Sequence, residues 1–169
     1  MKQKLLLVDD NNESLLHSLR HSLASETYEV VLAESVQHAI AKSDAGEIDL
    51  LLMNLNSPTE GWEAIDEITE ENPFLPVMVI TKQSGLKERA EAAGARALME
   101  EPVDGPMLLQ TIRELLAEPI QTRMRRSSNQ EIDFRHVPPG SGDFRELLHR
   151  RYTAPFHSPL PHSRWGLNE

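Results

Sequence analysis

Leu50-Leu51-Leu52-Met53-Asn54 is an unbroken apolar run that ends on a side-chain amide. An apolar residue at every position is what a strand buried on both faces of a sheet requires. The same pattern recurs on either side. Upstream, Lys4–Val8 runs into Asp9-Asp10; downstream, Pro76–Ile80 ends at Thr81, and a weaker run, Ala97-Leu98-Met99-Glu100, ends at Glu101-Pro102. Glu29–Ala33, with Val30 and Val31 at its centre, reads as a further strand.

Helical periodicity fills the gaps. Leu15, Leu16, Leu19 and Leu23 share one face, with Asn11 or Asn12 placed to cap that helix. Ser35 caps a second helix whose Val36, Ala39 and Ile40 face inward, and Gly46 closes it. A third starts near Glu60, carries Trp62, Ile65 and Ile68, and stops at Asn72-Pro73, because proline cannot continue the backbone ladder. The fourth, Leu86–Ala93, is short and weakly apolar before Gly94. Asp104 caps the fifth, with Pro106 in its first turn and Leu108, Ile112, Leu115 and Leu116 on its apolar face. Strand and helix alternate to about residue 118, which predicts an α/β domain with a parallel sheet.

Composition narrows the function. The chain of 169 residues contains no cysteine, which excludes disulfides, zinc–thiolate sites and thiol catalysis. The opening MKQKLLLV is too short an apolar run for a signal segment or a membrane span, so the expected location is cytoplasmic. The net charge of −10 is unevenly placed. Residues 120–169 hold eight Lys/Arg against five Asp/Glu, leaving nine bases against 22 acids in residues 1–119. So acidic a first part repels nucleic acid. A basic tail suits an acidic surface, its own or a partner's.

The spacing of these runs and the residues that end them resemble the receiver domain of two-component response regulators, over residues 1–119. The resemblance implies a flavodoxin-like (βα)5 doubly wound sheet, strand order 2-1-3-4-5, followed by a mostly irregular tail over 120–169. In that family an acid pair holds magnesium and an aspartate after the third strand accepts a phosphoryl group. A Thr or Ser follows the fourth strand, and a Lys before a Pro follows the fifth. Carried onto this chain, the acid pair is Asp9 and Asp10 and the switch hydroxyl is Thr81, but the acceptor position is Asn54 and the lysine position Glu101. The aromatic residue usual on the fifth strand is Leu98, and the Glu101-Pro102 bond is expected cis as in family members.

The substitutions change the chemistry. Phosphotransfer needs a carboxylate nucleophile, and an amide has no anionic oxygen with which to form an acyl phosphate. Glu101 reverses the sign of the lysine it replaces. Asp9, Asp10, Asn54 and Glu101 together carry −3, against −2 for the family's three Asp and one Lys. Crowded carboxylates require a cation or a raised pKa. Asp9 and Asp10 still offer hard oxygens to Mg²⁺, although none is required, and Lys82 is a candidate internal counter-ion. The expected pocket is therefore Asp9, Asp10, Asn54, Thr81, Lys82 and Glu101, with no catalytic residue.

The tail reads as polar and unpatterned over Arg123–Gln130 and is then punctuated by Pro138, Pro139, Pro155, Pro159 and Pro161. Asp143 and Glu146 form a potential capping box ahead of Phe144, Leu147 and Leu148, suggesting a short helix near 143–152 that needs a surface to fold against. His157 and His162 are weak metal-ligand candidates, His17, His21 and His38 read as surface residues on helices, and Ser127 and Ser128 follow Arg125-Arg126 as candidate kinase targets. No DNA-reading module fits the last fifty residues. Two function classes follow. One is a phosphorylation-independent receiver acting on a protein partner, such as a signalling protein or a second copy. The other is a metal or small-ligand sensor using the acidic pocket.

Overall fold

The computed structural model describes residues 2–9, 13–24, 28–56, 60–127 and 134–139, with the backbone alone described for residues 9, 13–17, 24, 60, 126 and 127. Five strands alternate with five helices: β1 (Lys4–Asp9), α1 (Glu13–Ala24), β2 (Glu29–Ala33), α2 (Val36–Asp44), β3 (Leu50–Asn54), α3 (Glu60–Glu71), β4 (Val77–Thr81), α4 (Lys87–Ala92), β5 (Ala97–Glu100) and α5 (Gly105–Ala117). Two further elements follow, α6 (Ile120–Ser127) and β6 (Arg135–Val137). The strands form one parallel sheet in the order β2-β1-β3-β4-β5-β6. The expected 2-1-3-4-5 order is present, and β6 extends it.

The apolar runs are continuous because successive side chains enter two different cores. Leu5, Leu7, Leu50, Leu52, Met78, Ile80, Ala97 and Met99 pack with Leu19 and Leu23 of α1 and Leu108, Ile112 and Leu115 of α5. The alternate residues Leu6, Val8, Leu51, Met53, Val77, Val79 and Leu98 pack with Ala39, Trp62, Ile65, Ile68 and Ala90 of α2, α3 and α4, and with Ala93 just after α4. A slip of one residue in any central strand would exchange the two sets.

Local signals set the helix ends. The Ser35 hydroxyl accepts from the His38 N–H at 3.1 Å, and an Asp104 carboxylate oxygen accepts from the Met107 N–H at 3.2 Å. Gly94 follows α4 at φ 86°, a left-handed conformation that favours glycine. There the Thr69 hydroxyl donates to the Ala93 carbonyl at 2.7 Å, tying α3 to the end of α4.

Two readings of the tail need correction. Residues 120–127 form α6, which takes in the first part of the Arg123–Gln130 stretch read as polar and unpatterned; the Arg123 guanidinium donates to the Leu115 carbonyl at 3.2 Å. Residues 135–137 are a sheet strand. Both escaped sequence reading because neither carries its own periodic apolar face; each is stabilised by what it lies against. The suggested helix near 143–152, and His157 and His162, lie outside the described residues.

Candidate functional site

Parallel strands bring their carboxyl ends to one edge, where ligand sites of open α/β sheets gather. Register places Asp9 opposite Asn54 across β1 and β3, Asn54 opposite Ile80, and Thr81 opposite Glu100 across β4 and β5. Strand ends far apart in sequence thus meet: Asp9, Asn54, Thr81 and Glu100, with Glu101 next in the chain. The side chain of Asp9 and the whole of Asp10 lie outside what is described.

Asn54 is 3% exposed, so its amide is part of the protein interior. Its Oδ1 accepts from Asn56 Nδ2 at 3.4 Å, and Asn56 Oδ1 in turn accepts from the Lys82 backbone N–H at 3.4 Å. These two long contacts connect the end of β3 to the end of β4 through neutral amides. Asn56 was not singled out in the sequence. Its signal was the Asn54-Leu55-Asn56 spacing, which returns a polar side chain to the same side of an extended chain.

Thr81 is fully buried, and its Oγ1 accepts from the Gln83 N–H at 3.1 Å in a local turn. Leu98 is fully buried as well, sealed into the core on the α4 side of the sheet. The Lys82 side chain is exposed and forms no ion pair among the described residues. Glu101 is half-buried, its N–H donates to the Thr81 carbonyl at 2.7 Å, and the Glu101-Pro102 bond is cis, as expected.

Glu100 has a basic partner from the tail: His136 Nε2 on β6 lies 3.0 Å from Glu100 Oε1. The Glu100 side chain is 10% exposed and that of His136 34%. Sequence reading missed this pair because it depends on β6 lying beside β5. His38 Nδ1 accepts from the Glu34 N–H at 3.4 Å.

Among the described residues no group of three His, Asp or Glu side chains could hold a metal ion, and the donor set that would serve magnesium includes Asp10, outside them. Nor is any described helix long and apolar enough to cross a membrane.

Comparison with known proteins agrees with this architecture. The family model for the response regulator receiver domain matches residues 5–113. The chain is 32% identical over 117 residues to the transcriptional regulatory protein GlrR of Escherichia coli strain K12, covering 68% of this chain and 26% of that protein. It is 29% identical over 131 residues to the transcriptional regulatory protein TrcR of Mycobacterium tuberculosis, covering 76% of this chain and 48% of that one. It therefore spans about a quarter to a half of the length of these relatives. Among solved structures, a CheY-like receiver domain protein from Methanospirillum hungatei superposes with a TM-score of 0.63 at 26% identity, covering 77% of this chain and 100% of that one. Chemotaxis protein CheY4 of Vibrio cholerae gives 0.61 at 26% identity over 68% of this chain and 99% of that one.

Proposed function

The chain belongs to the response regulator receiver family, and from that premise we propose that it is a phosphorylation-independent receiver, a regulatory interaction module of two-component signalling rather than an enzyme. The observation that carries this reading is Asn54, which ends β3 opposite Asp9 and is 3% exposed. It stands where the family's resemblance puts the phosphoacceptor. Attack on phosphorus needs a carboxylate oxygen, and the amide offers a carbonyl acceptor and an NH₂ donor instead.

Three further residues support the same reading. Glu101 precedes the cis proline where the family has a lysine, so the group that would neutralise an incoming phosphoryl group is itself an anion. The Asn56 amide already spans β3 and β4, the strand ends that a phosphoryl group would otherwise draw together. Leu98, buried in the core, offers no hydroxyl or ring to rotate outward as a readout. The module's state is then set by what it binds, and its ligand is a protein.

Incubation of the chain with a small-molecule phosphodonor and Mg²⁺, followed by intact-mass spectrometry, tests the reading. The expected result is no phosphorylated species. A stable phosphoryl adduct mapped to the carboxyl edge of the sheet would overturn it.

A further inference from the structure

β6 lies beyond the five strands of the receiver frame and closes the β5 edge of the sheet. The contact is short but involves every side chain from 134 to 137. Phe134 packs against the core on the α4 side of the sheet, and Val137 is buried in the core on the α5 side. Arg135 forms an ion pair with Glu114 of α5, and His136 Nε2 lies 3.0 Å from Glu100 Oε1. The Arg135 N–H donates to the Arg96 carbonyl at 3.2 Å, and Ala97, Leu98 and Met99 align with Arg135, His136 and Val137. Pro138 and Pro139 follow, where a strand cannot readily continue.

An open strand edge is a row of backbone donors and acceptors that templates another chain. This edge is also selective. Glu100 lies beneath β6 and takes its hydrogen-bonding partner from it; Glu114 takes a cation one residue earlier; apolar side chains fill one position on each face of the sheet. A strand of unrelated sequence would leave the Glu100 carboxylate buried without that partner, which is costly. The pattern Phe-Arg-His-Val meets all four demands, and this chain carries it.

We propose that the β5 edge is a strand-accepting site, held closed in cis by residues 134–137, and that its partner in trans is the same segment of a second copy of this chain. Exchange of one short strand preserves every contact of the closed form, so release and re-pairing between copies is a low-cost route to association. The exchange does not involve Asn54, so it stands or falls separately from the absence of phosphotransfer.

The test uses the full chain, a fluorescein-labelled peptide of residues 134–139, and two variants that weaken the resident strand. Val137→Asp removes its buried anchor; Arg135→Glu, at a side chain 30% exposed, sets like charges against Glu114 without touching the core. In fluorescence anisotropy both variants should bind the peptide at least about tenfold more tightly than the wild type, whose tethered strand competes at high effective concentration. A peptide carrying the His136→Asp change should bind Arg135→Glu more weakly than the native peptide does. In native mass spectrometry, a concentration-dependent wild-type dimer should be absent from Val137→Asp. Equal peptide binding by wild type and Arg135→Glu, or no binding by either variant, would overturn the proposal. So would a dimer that persists in folded Val137→Asp.

Discussion

Asp9 and Asn54 are register partners across β1 and β3, so the ends of these two strands lie side by side at the carboxyl edge of the sheet. In a receiver with the family's usual residues, both positions would be anionic. Here the register is the same and position 54 carries a neutral amide.

That relationship makes the chemistry partly restorable. Asn54→Asp supplies a carboxylate of nearly the same shape, but Glu101 still repels a phosphoryl group. The single variant should bind Mg²⁺ more tightly than the wild type in calorimetry while accumulating little phosphoryl adduct. Asn54→Asp with Glu101→Lys should accumulate the adduct from a small-molecule donor, read by intact-mass spectrometry. Failure of the double variant would place the block outside these two residues.

Gly94 has a double reason to be glycine. Its φ of 86° disfavours any L side chain, and a Cβ there would sit 3.0 Å from the Thr69 hydroxyl oxygen, the group that bonds Ala93. Gly94→Ala should cost about 1–2 kcal/mol from the backbone conformation alone, measured by urea denaturation. Gly94→Asn, better tolerated in that conformation, should lose less if backbone preference dominates, and as much if the Thr69 contact does.

Asp104 caps α5, which carries much of one core on Leu108, Ile112 and Leu115. Asp104→Ala should destabilise the chain by about 1 kcal/mol, and Asp104→Ser by clearly less, because a hydroxyl still accepts from the Met107 N–H. Equal losses in thermal melts would show that the capping bond contributes little.

Two ion pairs that look alike on paper should behave differently. Arg89 and Asp66 join α4 to α3 with side chains 40% and 42% exposed, and the hydrogen bond that the guanidinium donates to the Asp66 carboxylate holds its pKa above the usual value. The pair remains screened by water, so Asp66→Asn should cost about 0–1 kcal/mol. It should also alter Trp62 fluorescence, since the guanidinium lies 5.3 Å from that ring. Arg96 and Glu118 are 8% and 9% exposed, 3.8 Å apart. Arg96→Ala removes the cation beside a buried carboxylate and should cost about 3–5 kcal/mol. Chemical denaturation of the two variants side by side checks the order.

Most of the frame is legible in the sequence. Each central strand announces itself by an apolar run such as Leu50–Met53, because a strand covered on both faces has no polar side to show. Ser35 and Asp104 announced the helices they cap, since capping is a local bond between residues three apart. Asn54 at the end of β3 was equally plain, because a strand's end and the residue that occupies it are both local facts. Asn56 was harder to see, as its bridge to Lys82 depends on β4 lying beside β3.

The alternation of strands and helices, the residues at the carboxyl edge, and the amide in place of a carboxylate at position 54 can all be read from the chain alone. These follow from periodicity, caps and side-chain chemistry, which act over a few residues. That residues 135–137 join the sheet, and that Glu100 takes its histidine partner from position 136, follows from the folded chain and not from any local pattern. A three-residue strand has no pattern of its own to read, and is held by backbone and side-chain contacts with residues some forty positions earlier in the chain.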